Sequence, residues 1–222
     1  MGHTVHPYSH RLGVLRDWKS RWISDRKQYR EYLKGDVLLR EFLVKKLRHN
    51  LVAGVEIERG QKTFRIIINT ARPGLIIGRS GEGMVKLRAE IIKEMKRHKI
   101  VLPQDFKIDV VEVPAPEASA AIVGMMVAEG IEKRMPFRRV LKQTIEKVMA
   151  NKNVLGAKIG LAGRLGGGDM ARAEEIKRGG IPLQTLRADI DFAREKAYMT
   201  YGVIGIKVWI YKGMVFDKKK DK

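Results

Sequence analysis

The sequence predicts an α+β protein with two domains, and three observations support this fold class. Helical and strand-like hydrophobic periods follow one another in both halves of the chain, without a regular repeat. The segment VPAPE at 113–117 places two prolines one residue apart, which stiffens the chain and stops any element from running through it. The 222 residues are enough for two domains that each have a core.

A basic arm and a helix are predicted first. Trp18 and Trp22 are four residues apart, so we expect them to share one helix face among several cations. Such an arm can anchor its indoles on the protein and still present its charges to nucleic acid. The apolar spacing from Gln28 to Asn50 predicts a helix, which we expect Gly35 to break.

A hairpin, a glycine loop, a helix and a strand complete the first domain. The runs 55–60 and 63–71 alternate as strands do, and the short connection between them predicts a hairpin. The loop lies in GLIIGRSGEGMVKLR at 74–88, after which the apolar spacing predicts an amphipathic helix over 81–98. The run 106–113 predicts the last strand.

The second half is predicted to pack helices on a sheet. Its predicted helices are 117–134 and 136–151, and its predicted strands are 154–162, 185–200 and 203–212. The last two strands meet at Tyr201 and Gly202, so we expect a mainly antiparallel sheet.

Charge narrows the class of partner. Lys and Arg number 45 against 25 Asp and Glu, which gives a formal net charge of +20 at pH 7. Such an excess repels itself in a compact fold and is typical of proteins whose surface a polyanion neutralises. The composition therefore favours a nucleic-acid partner over a merely soluble basic protein.

Other classes of site are not expected. The chain has no cysteine, which excludes disulfides, Cys-ligated zinc and thiol chemistry. The weakly polar run 118–128 is shorter than the roughly 20 residues that a bilayer requires, and the first residues lack the apolar centre of a signal peptide. His3, His6 and His10 have no acidic or sulfur partner nearby, so we expect no metal or other cofactor. We expect a cytosolic protein without a membrane or small-molecule partner.

The glycine loop could serve a nucleotide, a polynucleotide or only the fold. A dinucleotide fingerprint needs G-x-G-x-x-G and a phosphate-binding loop needs G-x-x-x-x-G-K-[ST], and the glycines at 78, 81 and 83 match neither order. A G-x-x-G clamp instead lets the backbone lie against a sugar-phosphate chain at the amide-rich start of a helix. Gly78, Arg79, Ser80 and Gly81 fit this clamp, and Lys86 continues its charge along the helix.

A second basic feature lies on a predicted helix. KRMPFRRVLK at 133–142 holds five cations and no acid. The apolar stripe of the helix would leave Arg138, Arg139 and Lys142 together on the opposite face. A solvated face normally mixes both signs of charge, so this one favours contact with phosphates.

A second glycine-rich segment, GRLGGGD at 163–169, contains another G-x-x-G with Arg164 inside it. We expect Asp169 to cap a short helix at 170–178. A flexible loop and a direct RNA contact are both compatible with the pattern, and Arg172 favours the contact.

These motifs together resemble a known family. The first domain, with G-x-x-G before an amphipathic helix, resembles a type-two KH domain, the form found in prokaryotic RNA-binding proteins. From residue 1 to about residue 213 the chain is similar, in order, to segments of the bacterial-type family of small-subunit ribosomal protein S three. The segments with the most specific resemblance are TARPGLIIGRSGE, MPFRRVLKQ, GRLGGGDMAR, TLRADIDFA and YGVIGIKVWIYKG.

The resemblance implies a structural, non-enzymatic constituent of the head of the small ribosomal subunit, in the cytoplasm. It implies binding to small-subunit rRNA and to neighbouring head proteins. It also implies that the face of Arg138, Arg139 and Lys142 contacts mRNA where mRNA enters, and helps to open its helices without NTP hydrolysis. Besides the clamp, the rRNA-binding residues that we expect are Arg11, Arg16, Lys19, Arg21, Arg164 and Arg172.

The domain limits that we expect follow the same resemblance. They are 1–38 for the basic arm and first helix, 39–113 for a KH domain with helices on one face of three strands, 114–212 for a C-terminal α+β domain, and 213–222 for a basic tail. The positions that depart from the family are Ser80, Gly83, Met84 and the segment YSH at 8–10. Ser80 stands where a cation is common, so the clamp is less charged, and Gly83 predicts a looser helix start.

Two alternatives belong to other functional classes. A free-standing KH regulator would not need the motifs of the second half. A KH-bearing GTPase would need a phosphate-binding loop, and a nuclease would need clustered carboxylates or histidines. Asp189 and Asp191 alternate on a predicted strand without an evident third ligand, so we expect them to pair with cations.

Overall fold

The computed structural model describes residues 5–60, 63–100, 103 and 105–215, which form two compact units. The central unit is Trp18–Pro114. The terminal unit joins the residues up to Asp17 with those from Ala115 onward. His3, the predicted hairpin connection at 61–62 and the tail from residue 216 lie outside the described residues.

The chain begins with a one-turn helix, α1 (Pro7–His10), which belongs to the terminal unit. The elements of the central unit are β1 (Ser20–Arg21), α2 (Arg26–Lys46), β2 (Val52–Arg59), β3 (Thr63–Thr70), α3 (Pro73–Ile77), α4 (Glu82–Arg97) and β4 (Asp105–Glu112). None of the helices in the described part of the chain is long and apolar enough to cross a membrane.

The central sheet has the strand order β1-β2-β3-β4. β2 and β3 form the predicted antiparallel hairpin, with Ile57 opposite Ile66, and β4 runs parallel to β3. Alternate residues such as Ile66 and Ile68 face a buried core with Leu43 of α2 and Ile91 of α4. The helices therefore lie on one face of the sheet, which confirms the predicted architecture and adds the two-residue strand β1.

The predicted helix at Trp18 and Trp22 is wrong. Here the chain is extended, because Lys19 accepts a hydrogen bond from the amide of Ile57 and residues 20–21 pair with β2 as a parallel strand. The indole of Trp22 donates to Asp36 at 2.7 Å and packs against two tyrosines of α2. Tertiary pairing thus overrides the helical spacing of the two indoles.

The prediction that Gly35 breaks the helix, which is α2, is also wrong. The helix continues through it to Lys46. A Cβ at Gly35 would lie 3.3 Å from Nη2 of Arg59, whose guanidinium forms a buried ion pair with Asp36 at 2.7 Å. The glycine leaves room for this arginine beside the helix. The buried ion pair that this allows offsets the low helix propensity of glycine.

The terminal unit packs two helices on an antiparallel sheet, as predicted, and this sheet has four strands where three were predicted. Its further elements are α5 (Ala120–Glu132), α6 (Phe137–Met149), β5 (Gly156–Gly163), β6 (Arg172–Gly179), β7 (Ala188–Met199) and β8 (Gly202–Met214). The strand order is β6-β5-β8-β7, and one core joins both helices to the inward residues of the sheet, such as Ile159 and Val208.

The predicted short helix at 170–178 is wrong, because this segment forms the edge strand β6. Its residues pair with β5 along their whole length, from Arg172 opposite Gly163 to Gly179 opposite Gly156. The segment is rich in Ala, Glu, Lys and Arg, whose local preference is helical. Pairing with a distant strand decides the conformation. Asp169 accordingly caps no helix and forms an ion pair with Arg164 at 3.0 Å.

Arg11 attaches the N-terminal turn to β7. Its side chain is fully buried and donates hydrogen bonds to the carbonyl oxygens of Ala188 at 2.6 Å, Thr185 at 2.9 Å, Leu183 at 3.0 Å and Pro7 at 3.1 Å. Burial lowers the pKa of the guanidinium, and the nearby charge of Asp189 opposes this effect. Arg11 is therefore a structural residue of the terminal unit.

We expect Arg11→Ala to lower the free energy of unfolding by about 3 kcal/mol, because it removes four hydrogen bonds donated by a fully buried side chain. Thermal unfolding of the full chain should show a decrease in Tm of about 6–12 °C. The control is Arg26→Ala, which removes an exposed arginine and should change stability by less than about 0.5 kcal/mol. Equal Tm values for the two variants would contradict this role.

Candidate nucleic-acid interface

The clamp loop joins α3 to α4 through three residues with positive φ. Gly78 has φ 72° and ψ −175°, Ser80 has φ 50°, and Gly81 has φ 82°. The two glycines adopt these angles without a Cβ clash, whereas Ser80 adopts a left-handed conformation that costs a non-glycine residue about 1 kcal/mol. The residues 79–81 form a short 3₁₀ turn directly before α4.

Gly83 has a packing role that was not predicted from the sequence. A Cβ at this position would lie 2.8 Å from the carbonyl oxygen of Ile77, so the start of α4 contacts the end of α3 backbone to backbone. Gly78 completes the contact, because its Cβ would lie 3.1 Å from the amide nitrogen of Gly83. The predicted looser helix start is therefore wrong: the third glycine permits close packing that holds the loop.

The clamp presents little charge, as the sequence predicts. Arg79 and Ser80 are exposed, and Arg79 forms no ion pair with any residue that the structure describes. Lys86 lies one turn along α4 and approaches Glu82 at 3.6 Å, with both side chains mostly exposed. Such an exposed pair contributes little, so Lys86 remains able to exchange its partner for a phosphate.

The basic face of α6 has the predicted geometry. Val140, Leu141, Ile145 and Val148 are buried in the terminal core. The opposite face exposes three cations, Arg138, Arg139 and Lys142. Within the described parts of the chain, Arg139 and Lys142 form no ion pair.

Glu174 is an acidic neighbour of this face that was not predicted from the sequence. It lies on β6 and accepts two hydrogen bonds from Arg138, each at 3.3 Å. This hydrogen bonding and the charge of Glu174 raise the pKa of the Arg138 guanidinium. This ion pair was not predictable from the sequence, because residues 170–178 were expected to form a helix and not a strand beside α6.

Most of the cations predicted to bind rRNA have protein partners. Arg16 pairs with Asp189 at 2.6 Å, Arg21 with Glu56 at 2.7 Å and Arg172 with Glu174 at 3.5 Å. Arg164 pairs with Asp169 and also donates to the carbonyl oxygen of Gly168 within its own loop. Lys19 is exposed.

The prediction that Arg11 contacts RNA does not fit its position in the structure. Its buried guanidinium is held by four carbonyl groups, so it cannot reach RNA without vacating its site. The two aspartates of β7 are also structural: Asp189 pairs with Arg16, and Asp191 accepts a hydrogen bond from the amide of Ala120 at the start of α5. No group of three or more potential metal ligands occurs among the described residues.

Comparison with known proteins gives consistent matches for both units. Residues 38–118 match the model of the KH domain, and residues 127–210 match that of the ribosomal protein S3 C-terminal domain. The small ribosomal subunit protein uS3 of Xanthomonas euvesicatoria is 46% identical over 98% of this chain and 86% of its own length. The uS3 proteins of Clostridium novyi and Caldicellulosiruptor saccharolyticus are 43% and 42% identical, each over 99% of this chain and 96% of their own length.

We expect Gly83→Ala to destabilise the central unit by about 2 kcal/mol, because the added methyl group overlaps backbone atoms that cannot move independently. The matched control is Gly74→Ala in α3, where a Cβ meets nothing within 4 Å and alanine is the better helix former. Thermal melting should therefore move in opposite directions for the two variants. A stable Gly83→Ala protein would show that α3 and α4 can separate.

Proposed function

The chain belongs to the family of small ribosomal subunit protein uS3, and we propose that its basic surfaces bind two kinds of RNA. The family consists of structural, non-enzymatic ribosomal proteins with a KH domain that act in translation. Within the small subunit, we propose that the protein binds rRNA and neighbouring proteins of the subunit head. The face of α6 contacts mRNA in the channel through which mRNA enters.

The mRNA proposal rests on the exposed cations of α6. Arg138, Arg139 and Lys142 lie together opposite a buried stripe, so the packing of the helix fixes their direction. Arginine and lysine side chains at this spacing can contact successive phosphates without reading bases. Arg138 shares its charge with Glu174, so Arg139 and Lys142 contribute more of the attraction.

Opening of mRNA helices by this face requires no hydrolysis. A channel that admits one strand binds the open form of an mRNA and excludes the duplex. The equilibrium between the two forms then shifts by the difference in binding free energy. The protein would stabilise each transient opening while the ribosome advances.

The clamp supplies a second contact, which we assign to RNA backbone. Its exposed loop combines two flanking glycines with Arg79 and with amide groups at the start of α4. Backbone amides and a low charge suit close contact with one strand better than long-range attraction.

Replacement of Arg138, Arg139 and Lys142 by Ala should leave subunit assembly intact and slow translation through structured mRNA. Loss of three phosphate contacts should make the association constant for single-stranded RNA less dependent on salt. The magnitude of the slope of its logarithm against log salt concentration should fall by about 2. The measurements are sedimentation of small subunits, elongation across a stable mRNA hairpin, and binding of the full chain to a labelled single strand.

The matched control removes three exposed cations of the same unit by changing Lys147, Lys152 and Arg187 to Ala. This control should translate hairpin and unstructured messages at unchanged relative rates. If the α6 variant fails to assemble, the face holds rRNA or the fold, and the mRNA proposal is wrong.

Arg79→Asp combined with Ser80→Asp should weaken RNA binding without unfolding the central unit. The loop is exposed, and aspartate tolerates the left-handed conformation of Ser80 better than most residues. The control combines Lys99→Asp with Gln28→Asp, which makes the same change of −3 in charge at exposed positions of that unit. Equal affinities of the two double variants for single-stranded RNA at low salt would rule out the clamp.

A further inference from the structure

The outer side of the terminal sheet, which faces away from α5 and α6, carries a concentration of positive charge. Inward residues of β5, β7 and β8 belong to the terminal core, and alternate residues point outward. The outward cations, which we call the sheet-face band, are Lys158 of β5, Lys177 of β6, Arg194 and Lys196 of β7, and Lys207 of β8.

Two pairs of like charges stand directly opposite each other in this band. Lys158 faces Lys177 across β5 and β6, and Arg194 faces Lys207 across β7 and β8. Opposite residues of an antiparallel pair have Cβ atoms about 5 Å apart, and like charges at this distance destabilise a sheet. Glu175 is the one acid among the described outward residues of the four strands, and it pairs with Lys158 at 2.7 Å.

The residues in the middle of this side have small side chains or none. Gly160, Ala162 and Gly205 lie on adjacent strands between the cations. Cations also lie on aromatic rings, because Nζ of Lys158 is 5.2 Å from the ring centre of Trp209 and the guanidinium of Arg194 is 5.4 Å from that of Phe192. A long polymer can therefore approach the sheet closely with positive charge on both sides of its path.

We propose that the sheet-face band binds the sugar-phosphate backbone of RNA, as a surface separate from the clamp and from the face of α6. This inference rests on the proposed RNA-binding function and extends it to another surface. Phosphates placed among the cations neutralise the repulsion within both like-charge pairs. Lysine contributes point charges rather than base recognition, so the contact is independent of sequence.

The geometry favours RNA over an acidic protein segment. A protein strand adds to the edge of a sheet, whereas the band extends across the face of the sheet and includes Lys158 and Lys207 on the interior strands β5 and β8. Lysine is also depleted at the centres of protein interfaces. Four of the five cations in the band are lysines.

The test removes one like-charge pair by combining Arg194→Gln with Lys207→Gln. We expect the Tm of the full chain to stay the same or rise, because a repulsive pair is lost. Binding to a fluorescein-labelled RNA hairpin should weaken by about 60-fold at 0.1 M salt, and the salt slope should fall by about 1.8. Stability and affinity therefore change in different directions, which a misfolded variant cannot imitate.

The control combines Lys147→Gln with Lys152→Gln, which removes the same charge from exposed positions of the same unit. If both double variants bind the hairpin alike, the proposal is wrong. The Arg138, Arg139 and Lys142 variant is measured in parallel. If this triple variant loses RNA binding and the band variant does not, the proposed function stands and the band proposal is wrong. If only the band variant loses RNA binding, the band proposal stands and the proposed role of the α6 face is wrong.

A cross-link distinguishes RNA from protein in the assembled particle. Because the chain has no cysteine, Ala162→Cys provides a unique attachment point for an aryl azide on the outer side of the sheet. After incorporation into small subunits, irradiation should attach the label mainly to rRNA. Attachment to protein alone would overturn the proposal in favour of a protein partner.

Discussion

Repulsion among an excess of cations is the constraint on which the organisation of this protein depends. With 45 basic and 25 acidic residues, a compact fold must use its acids where they stabilise most. Across the central sheet, Arg21, Glu58, Arg65 and Asp109 alternate in charge from β1 to β4 and form a chain of ion pairs. Acids thus stabilise the scaffold, and the surfaces that we propose for RNA hold more cations than acids.

Backbone packing places those surfaces as firmly as charge does. The clamp is held by the contact of α3 with α4 at Gly83, and the face of α6 is directed by the stripe that it buries. On the sheet, the alternation of strand residues sends one set to the core and the other to the outside. In each case an apolar or backbone contact on one side of an element fixes cations on the other.

The sequence predicted most of the fold and the face of α6, because both depend on local hydrophobic periods. It failed at 18–22 and 170–178, where pairing with a distant strand overrides local preference. It could not separate buried Arg11 from exposed cations, since three carbonyl groups far along the chain help to create its site. The sheet-face band was missed for a related reason: its members come from four strands and meet only through their register.

Lysine acetylation, mapped by mass spectrometry, tests whether the face of α6 and the sheet-face band bind RNA. It compares the full chain alone, in small subunits, and in small subunits with mRNA. We expect Lys207 to become protected in the subunit, Lys142 to gain protection when mRNA is added, and Lys152 to stay reactive throughout. If Lys142 and Lys207 each keep the same reactivity in all three states, neither surface binds RNA.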